Sequence, residues 1–361
     1  MTMTIDNEHK NNQGRKVLNA PNLRFPEFQG EWEEYRIEDI TENISSGRCK
    51  SHSSSGKYNL YGSTGIIGKT NEACYEGNLV LVARVGANAG SLQILNEPCG
   101  ITDNTLIIKP KEVDAQYIYY FLQHFNLNRL IFGSGQPLIT GGMLKKVKVS
   151  LGTIQEQNKI TRLLSLLDER IATQNKVIDK LQSLIRGIAH KISKQGKPNI
   201  RLSECLECSS TTLQESDVAE VGAYPVYGAN GIVGYLDTYS TTKEAIYIIK
   251  DGSGVGSVSY VKGKCSATGT LNILQAKEGY SLRYLYFMLK VFNFEPYKTG
   301  MAIPHIYFKD YRKAKIYCPS YELQVKYTDL LFGIEQKAIT EQMILTNLYN
   351  QKQYLLRQMF I

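Results

Sequence analysis

Gln155-Glu-Gln-Asn-Lys-Ile-Thr-Arg-Leu-Leu-Ser-Leu-Leu-Asp-Glu-Arg-Ile171, with its continuation to Ile192, is the stretch that decides the fold. Ile160, Leu164, Leu167, Ile171, Gln174, Ile178, Leu181, Ile185 and Ile188 follow one another in alternating steps of four and three. That period lays them along one stripe of a helix that faces another helix. At about 1.5 Å per residue the rod is roughly 55 Å long. A seam of that length needs a partner, and the same chain supplies one. Adding 167 to each number gives Tyr327, Leu331, Ile334, Ala338, Glu341, Leu345, Leu348, Lys352 and Leu355. This second seam keeps the period and sets Glu341 where the first has Gln174. Lys352 and Glu341 interrupt its apolar run, and buried charges are costly unless paired, so loose packing of the last turns is expected.

Everything outside the two helices falls into halves. Tyr58-Asn-Leu-Tyr-Gly-Ser-Thr-Gly-Ile-Ile-Gly68 and Tyr224-Pro-Val-Tyr-Gly-Ala-Asn-Gly-Ile-Val-Gly234 agree at six of eleven positions. The match runs on without a gap from Leu79 to Ser91 and from Ala245 to Ser257. Tyr119–Asn126 then meets Tyr286–Asn293, and Pro137 and Ile139 meet Pro304 and Ile306. One unit of about 165 residues is used twice, which is a duplication and not a solenoid. Short apolar runs between glycine turns predict strands at Leu79–Val85, Ala245–Lys250, Thr105–Lys109 and Leu271–Leu274. Lys145–Val149 and Arg312–Ile316 are further strand candidates, and Tyr117–Phe125 and Leu282–Val291 read as amphipathic helices. The class is α+β, with two similar lobes and a helical spine.

A length of 361 residues suits two domains, and 42% apolar content suits a buried core. No run of about 18 uncharged apolar residues occurs, so no membrane span is expected. Met1–Lys16 lacks a signal peptide's apolar core, which predicts a cytoplasmic protein with residues 1–20 as a disordered tail. Seven cysteines in no tight framework fit reduced thiols. Cys205 and Cys208 make one CxxC without the second pair that a metal site needs, and Cys99 and Cys265 match as small apolar fillers. A net charge of +8 permits a polyanionic partner without establishing one. Twenty-four tyrosines against one tryptophan offer rings with polar tips, useful in cores and on recognition surfaces alike.

Motifs for catalysis fail on spacing. Gly62–Thr70 resembles a phosphate loop, yet five residues separate Gly62 from the Gly-Lys-Thr where four are needed. In the second copy Lys69 becomes Tyr235 and Thr70 becomes Leu236. Gly86–Gly90 and Gly252–Gly256 lack the full dinucleotide fingerprint, and the five histidines have no metal-ligand spacing. The proline-aromatic motif of amino-methyltransferases and the Gly-x-Ser-x-Gly of hydrolases are both missing. A recognition architecture remains, and the chain is expected to be no catalyst by itself. Basic residues recur at matching places: Arg84 with Lys250, Lys146 with Lys313, and Lys148 with Lys315. A solvated strand face explains any one such lysine, and recurrence raises the case for binding. Cations along one face neutralise phosphates, and arginine, asparagine or glutamine reach base edges. In the first lobe the candidates are Arg48, Lys50, Arg84, Asn88, Asn104, Gln136, Lys146 and Lys148. In the second they are Asn230, Lys243, Lys250, Lys298, His305, Lys309 and Lys313.

In this arrangement the sequence resembles the specificity (S) subunits of type I restriction-modification systems. The resemblance rests on Pro21-Asn-Leu-Arg-Phe-Pro-Glu-Phe-Gln-Gly-Glu-Trp32 and on Tyr-x-x-Tyr-Gly-x-x-Gly-Ile-x-Gly in both halves. It rests also on Ile154-Gln-Glu-Gln-Asn-Lys-Ile160 opening the first long helix, matched more loosely by Tyr321–Tyr327. It implies two target-recognition domains, each reading one half of a bipartite site in double-stranded DNA, and two long antiparallel coiled-coil helices that set the spacer. The implied layout is target-recognition domains over 21–150 and 198–318, a central spine helix over 151–197, and a C-terminal one over 319–361. The spine interface, and with it the implied partner interface, lies on Ile160, Leu164, Leu167, Ile171, Ile178, Leu181, Leu331, Ile334, Leu345 and Leu348. Two methyltransferase (M) subunits with S-adenosylmethionine, and motor-nuclease (R) subunits with ATP and Mg, are the implied partners. The chain itself would carry no cofactor. Other readings are an S-type subunit of a modification-only system without a motor, a coiled-coil adaptor that binds no DNA, and a nucleotide-using enzyme built on Gly62–Thr70.

Overall fold

In each half one short strand is apolar on both faces, and the rest of the lobe is layered over it. The computed structural model describes residues 19–50, 55–132, 137–252, 254–300 and 303–361. The expected tail over 1–20 therefore lies almost wholly outside the described residues. The first lobe runs β1 (Glu33–Arg36), β2 (Thr41–Ser46), β3 (Tyr58–Gly62), β4 (Gly65–Thr70), β5 (Leu79–Ala83), β6 (Leu92–Leu95), β7 (Cys99–Ile101) and β8 (Thr105–Pro110). Helices α1 (Ala115–Phe125) and α2 (Gly141–Lys145) and strand β9 (Lys148–Leu151) follow. The first long helix is α3 (Ile154–Ser193). The second lobe runs β10 (Ile200–Arg201), α4 (Leu202–Cys205), β11 (Leu206–Ser209), β12 (Tyr224–Gly228), β13 (Gly231–Leu236), β14 (Ala245–Ile249), β15 (Val258–Val261), β16 (Ser266–Ala267) and β17 (Leu271–Ala276). It closes with α5 (Leu282–Lys290), α6 (Phe308–Tyr311) and β18 (Lys315–Ile316), ahead of the last helix, α7 (Tyr321–Met359).

The duplication is explicit in the sheets. Strand orders β2-β8-β5-β6 and β4-β3-β7 in the first lobe repeat as β11-β17-β14-β15 and β13-β12-β16 in the second, and β1-β9 repeats as β10-β18. All five residues of β5 are buried, and side chains alternate between its two faces. Val80 and Val82 join Tyr117, Phe121 and Ile118 of α1, whereas Leu79 and Leu81 join Cys99, Ile101 and Ile107. In β14, Ile246 and Ile248 pack with Tyr284 and Phe287 of α5, while Ala245 and Tyr247 pack with Cys265 and Ala267. Cys99 and Cys265 thus fill corresponding inner corners. The helices are started by local chemistry: Asp114 caps α1 at the Gln116 N–H, and Ser281 caps α5 at the Tyr284 N–H.

Two compact units result, one joining the described residues up to Thr173 with Leu345–Ile361, the other Gln174–Ile344. Each holds part of both long helices. In the first unit Ile160 and Leu164 pack with Leu356, Met359 and Phe360, and the Lys352 ammonium lies 2.6 Å from the Asp168 carboxylate. In the second, the Gln174 amide donates to the Glu341 carbonyl at 3.0 Å and to its carboxylate, and Tyr327 donates to Gln195. Rising numbers on α3 meet falling numbers on α7 in both, so the helices are antiparallel. Every position of the two seams is buried or half-buried.

Several expectations are corrected. Loose last turns are not found, because Lys352 is paired and Leu356, Met359 and Phe360 are sunk in the first lobe's core. Lys145–Val149 is no single strand: Thr140 caps α2, which holds Lys145, and pairing with β1 begins only at Lys148. Pairing at Arg312–Ile316 is likewise confined to Lys315 and Ile316, after α6. The long helices start at Ile154 and Tyr321, not at 151 and 319, since Leu151 is held in β9 and Pro319 precedes the last helix.

The lead-in segment explains why Arg24 and Trp32 sit where they do. The Arg24 guanidinium grips the buried Glu156 carboxylate at 2.7 and 2.8 Å, and the Trp32 indole N–H donates to it at 3.0 Å. A Cβ at Gly152 would lie 2.4 Å from that carboxylate, so only glycine fits. The Leu23 N–H donates to the Gln358 carbonyl at 2.9 Å. Residues 19–32 therefore clip the start of α3 and the end of α7 to the first lobe.

Candidate nucleic-acid interface

The same backbone frame is built at the end of the central strand in each lobe. After β5 the Arg84 N–H donates to Asn104 O, Ile139 N–H donates to Arg84 O, and Gly86 N–H donates to Pro137 O, at 2.9, 2.9 and 3.0 Å. After β14 the Lys250 N–H donates to Thr270 O, Ile306 N–H to Lys250 O, and Gly252 N–H to Pro304 O, at 2.9, 2.8 and 3.0 Å. Gly86 and Gly252 have φ of 79° and 97°, a left-handed conformation that makes both turns glycine turns. Three segments far apart in sequence converge there: the strand end, the turn before β8 or β17, and the strap before α2 or α6. The hairpins β3-β4 and β12-β13 adjoin them, since Thr102 N–H donates to Tyr61 O and Thr268 N–H to Tyr227 O.

On these like frames the side chains differ. In the first lobe Arg84 Nη1 is 3.5 Å from Ser46 Oγ, a long contact, and its Nε is buried without a hydrogen-bond partner among the described residues. Asn88 and Asn104 are exposed beside it. Arg48 and Lys50 flank the buried Cys49, whose N–H donates to Ile101 O, so they leave from the same turn. Gly47 passes Thr102 O so closely that a Cβ would lie 2.3 Å away. In the second lobe Lys250 is half-buried, the His305 backbone bridges Asp251 and Thr299, and the His305 ring lies 5.3 Å from Tyr307. The Lys309 ammonium stands 5.2 Å over the Tyr307 ring. Asn230 is exposed at the tip of β12-β13.

A match to the model described as type I restriction modification DNA specificity domain covers residues 29–183 and again 198–348. The chain belongs to that family. A Mycoplasma genitalium protein described as a type I specificity subunit is 26% identical over 335 residues, 84% of this chain and 87% of that one. The EcoprrI specificity subunit of Escherichia coli is 29% identical over 120 residues, 33% of this chain and 30% of its own. Among solved structures, the crystal structure of a type I S subunit from M. genitalium superposes with a TM-score of 0.69 at 20% identity, covering 95% of this chain and 99% of that one. A chain from a structure concerned with assembly of the type I restriction-modification system gives 0.50 at 14% identity, covering 90% and 96%. These likenesses establish the fold. As a type I specificity chain the molecule is a DNA-specificity component and not a catalyst.

Other candidates of this type I chain stand apart from the strand-end clusters. Lys148 pairs with Glu34 at 2.7 Å on the separate β1-β9 ladder, with Lys146 just before it, and Lys313 lies just before the equivalent β18. Lys298, by contrast, adjoins the second cluster through Thr299, and its ammonium is tied to Glu295 at 2.6 Å. Lys243 precedes β14 and Lys250 follows it, roughly 20 Å away along a strand. Gln136 lies outside the described residues. Ser46, Thr270 and Tyr307 also lie in these clusters and are not among the sequence candidates; the repeat register, which pairs Thr270 with Asn104, is the signal available for Thr270. The phosphate-loop reading does not survive: Gly62–Thr70 is a strand hairpin, and the Lys69 ammonium is held by Asn59 Oδ1 at 2.6 Å. Asn59 and Tyr61 both donate to Glu97, holding its carboxyl below the ordinary range, so that corner presents a carboxylate. Burial lifts the Cys205 thiol to about 12 and the Cys208 thiol to about 11, away from the reactive thiolate. No helix among the described residues is long and apolar enough to cross a membrane.

Proposed function

We propose that this chain reads a bipartite double-stranded DNA site, one half with each lobe, as the specificity subunit of a type I restriction-modification enzyme. One observation carries the reading: the same hydrogen-bonded strand-end frame occurs twice and presents different side chains. Arg84, Asn88 and Asn104 serve one half-site, and Lys250, His305 and Lys309 the other. Arginine offers paired donors and asparagine a donor beside an acceptor, as base edges require, whereas lysines neutralise phosphates. Arg48, Lys50 and Asn230 extend these surfaces, and Lys146, Lys243 and Lys313 contribute at their margins through phosphate.

The antiparallel α3 and α7 set the spacer and dock two methyltransferase subunits, which bring S-adenosylmethionine. Motor-nuclease subunits bring ATP and Mg, and the assembly works in the cytoplasm. The test is adenine-methylation mapping in cells that carry this gene and its neighbours, with and without deletion of this chain alone. Two short sequences around a constant gap, lost on deletion, are expected. An unchanged methylation pattern would remove the specificity role.

A further inference from the structure

Both lobes hold out an isoleucine that no core uses. Ile66 is 58% exposed and Ile232 is 51% exposed, each next to the glycine that closes a two-residue hairpin turn. Gly65 and Gly231 have φ of 109° and 97°, so the two turns share a backbone. Both hairpins also carry a bulge at the same place, between Leu60 and Tyr61 and between Val226 and Tyr227, where one extra residue twists the tip and re-aims it. The turn residues differ, Ser63-Thr64 against Ala229-Asn230, and the isoleucine does not. Packing makes no demand for it, because more than half of each side chain lies in water. A single exposed apolar residue is ordinary on a protein surface. The same one, twice, on a bulged tip beside the Arg84 and Lys250 clusters, is a repeated device.

We infer that Ile66 and Ile232 are the apolar contacts of the two half-sites, each pressed against an apolar surface of DNA. This rests on the DNA-reading function proposed above. DNA presents such a surface as a thymine methyl in the major groove or as the face of a base at an opened step. A branched apolar tip suits either, and a phosphate gives it nothing.

The experiment uses the full chain assembled with its methyltransferase subunits and DNA carrying the mapped site. Ile66→Ala is expected to weaken binding roughly ten-fold through one half-site only, and Ile232→Ala through the other. An apolar contact releases no counterions, so the salt slope is expected to stay unchanged. Melting temperature of each variant checks that the hairpin still folds. Replacing half-site thymines by uracil reproduces the loss if a methyl is the contact. A 2-aminopurine signal present with the native chain and lost with Ile66→Ala identifies an opened step instead. Binding within two-fold of native, or a loss that comes with a changed salt slope, would overturn the inference. Arg84→Ala in the same assay reports on DNA reading itself, so the two failures are distinguishable.

Discussion

Glu156 shows what a single side chain does here. Its carboxylate is fully buried and satisfied by Arg24 and Trp32, so the cost of burying it is met only while both partners stay. Arg24→Ala leaves that charge uncompensated and is expected to destabilise the first unit by about 3–5 kcal/mol in urea unfolding. Adding Glu156→Gln should restore part of the loss, and a strictly additive double variant would deny the coupling. Glu341 gives a pH effect. Hydrogen bonds from Lys337 and then Gln174 hold its carboxyl below the ordinary value of 4.5. Its ionised form therefore stabilises the fold above 4.5, and that contribution fades as pH falls through the lower folded value. Stability of Glu341→Gln should decline less steeply than native below pH 4.5, and parallel declines would refute the linkage. Among the recognition residues, Lys250→Ala should reduce the salt slope of DNA binding by about 1. An unaltered slope would take Lys250 off the phosphates.

At the scale of elements, the two long helices are held by their seam and not by their own propensity. Ile178 is 5% exposed and sits in the second unit's share of α3. Ile178→Ala opens a void that the helix pair closes only in part, and a loss of about 2–5 kcal/mol is expected from denaturant titration. Replacing the exposed Leu184 by Ala should change stability by no more than about 0.5 kcal/mol. Similar losses at both positions would mean that the seam has been misplaced. The period that predicts this was visible in the chain because a helix repeats its faces every few residues whatever surrounds it. The short strands at 145–149 and 312–316 misled because a five-residue apolar-basic alternation also suits a capped helical turn running into a strand. Thr140 settles the first case through a hydrogen bond to Met143 N–H, which no periodicity encodes.

For the whole molecule, the proposed spacer role makes a direct prediction. Inserting one heptad in register into both α3 and α7 adds about 10 Å to each helix, or roughly three base pairs of duplex. Methylation mapping should then return the same two half-sites around a longer gap. The original gap, retained after the insertion, would remove the helices as a ruler.

The duplication, the seam and the α+β class were determined by the sequence alone, because period and repetition are properties of neighbours along a chain. Which cations share a surface was decided only in three dimensions. Lys243 and Lys250 are seven residues apart and are separated by the length of β14, whereas Arg84 and Ile139 are 55 apart and hydrogen-bonded. Likewise, Lys352 read as a flaw in the second seam until folding brought Asp168, 184 residues away, within 2.6 Å. A charge is costly or harmless according to its nearest opposite charge, and long-range pairing chooses that neighbour.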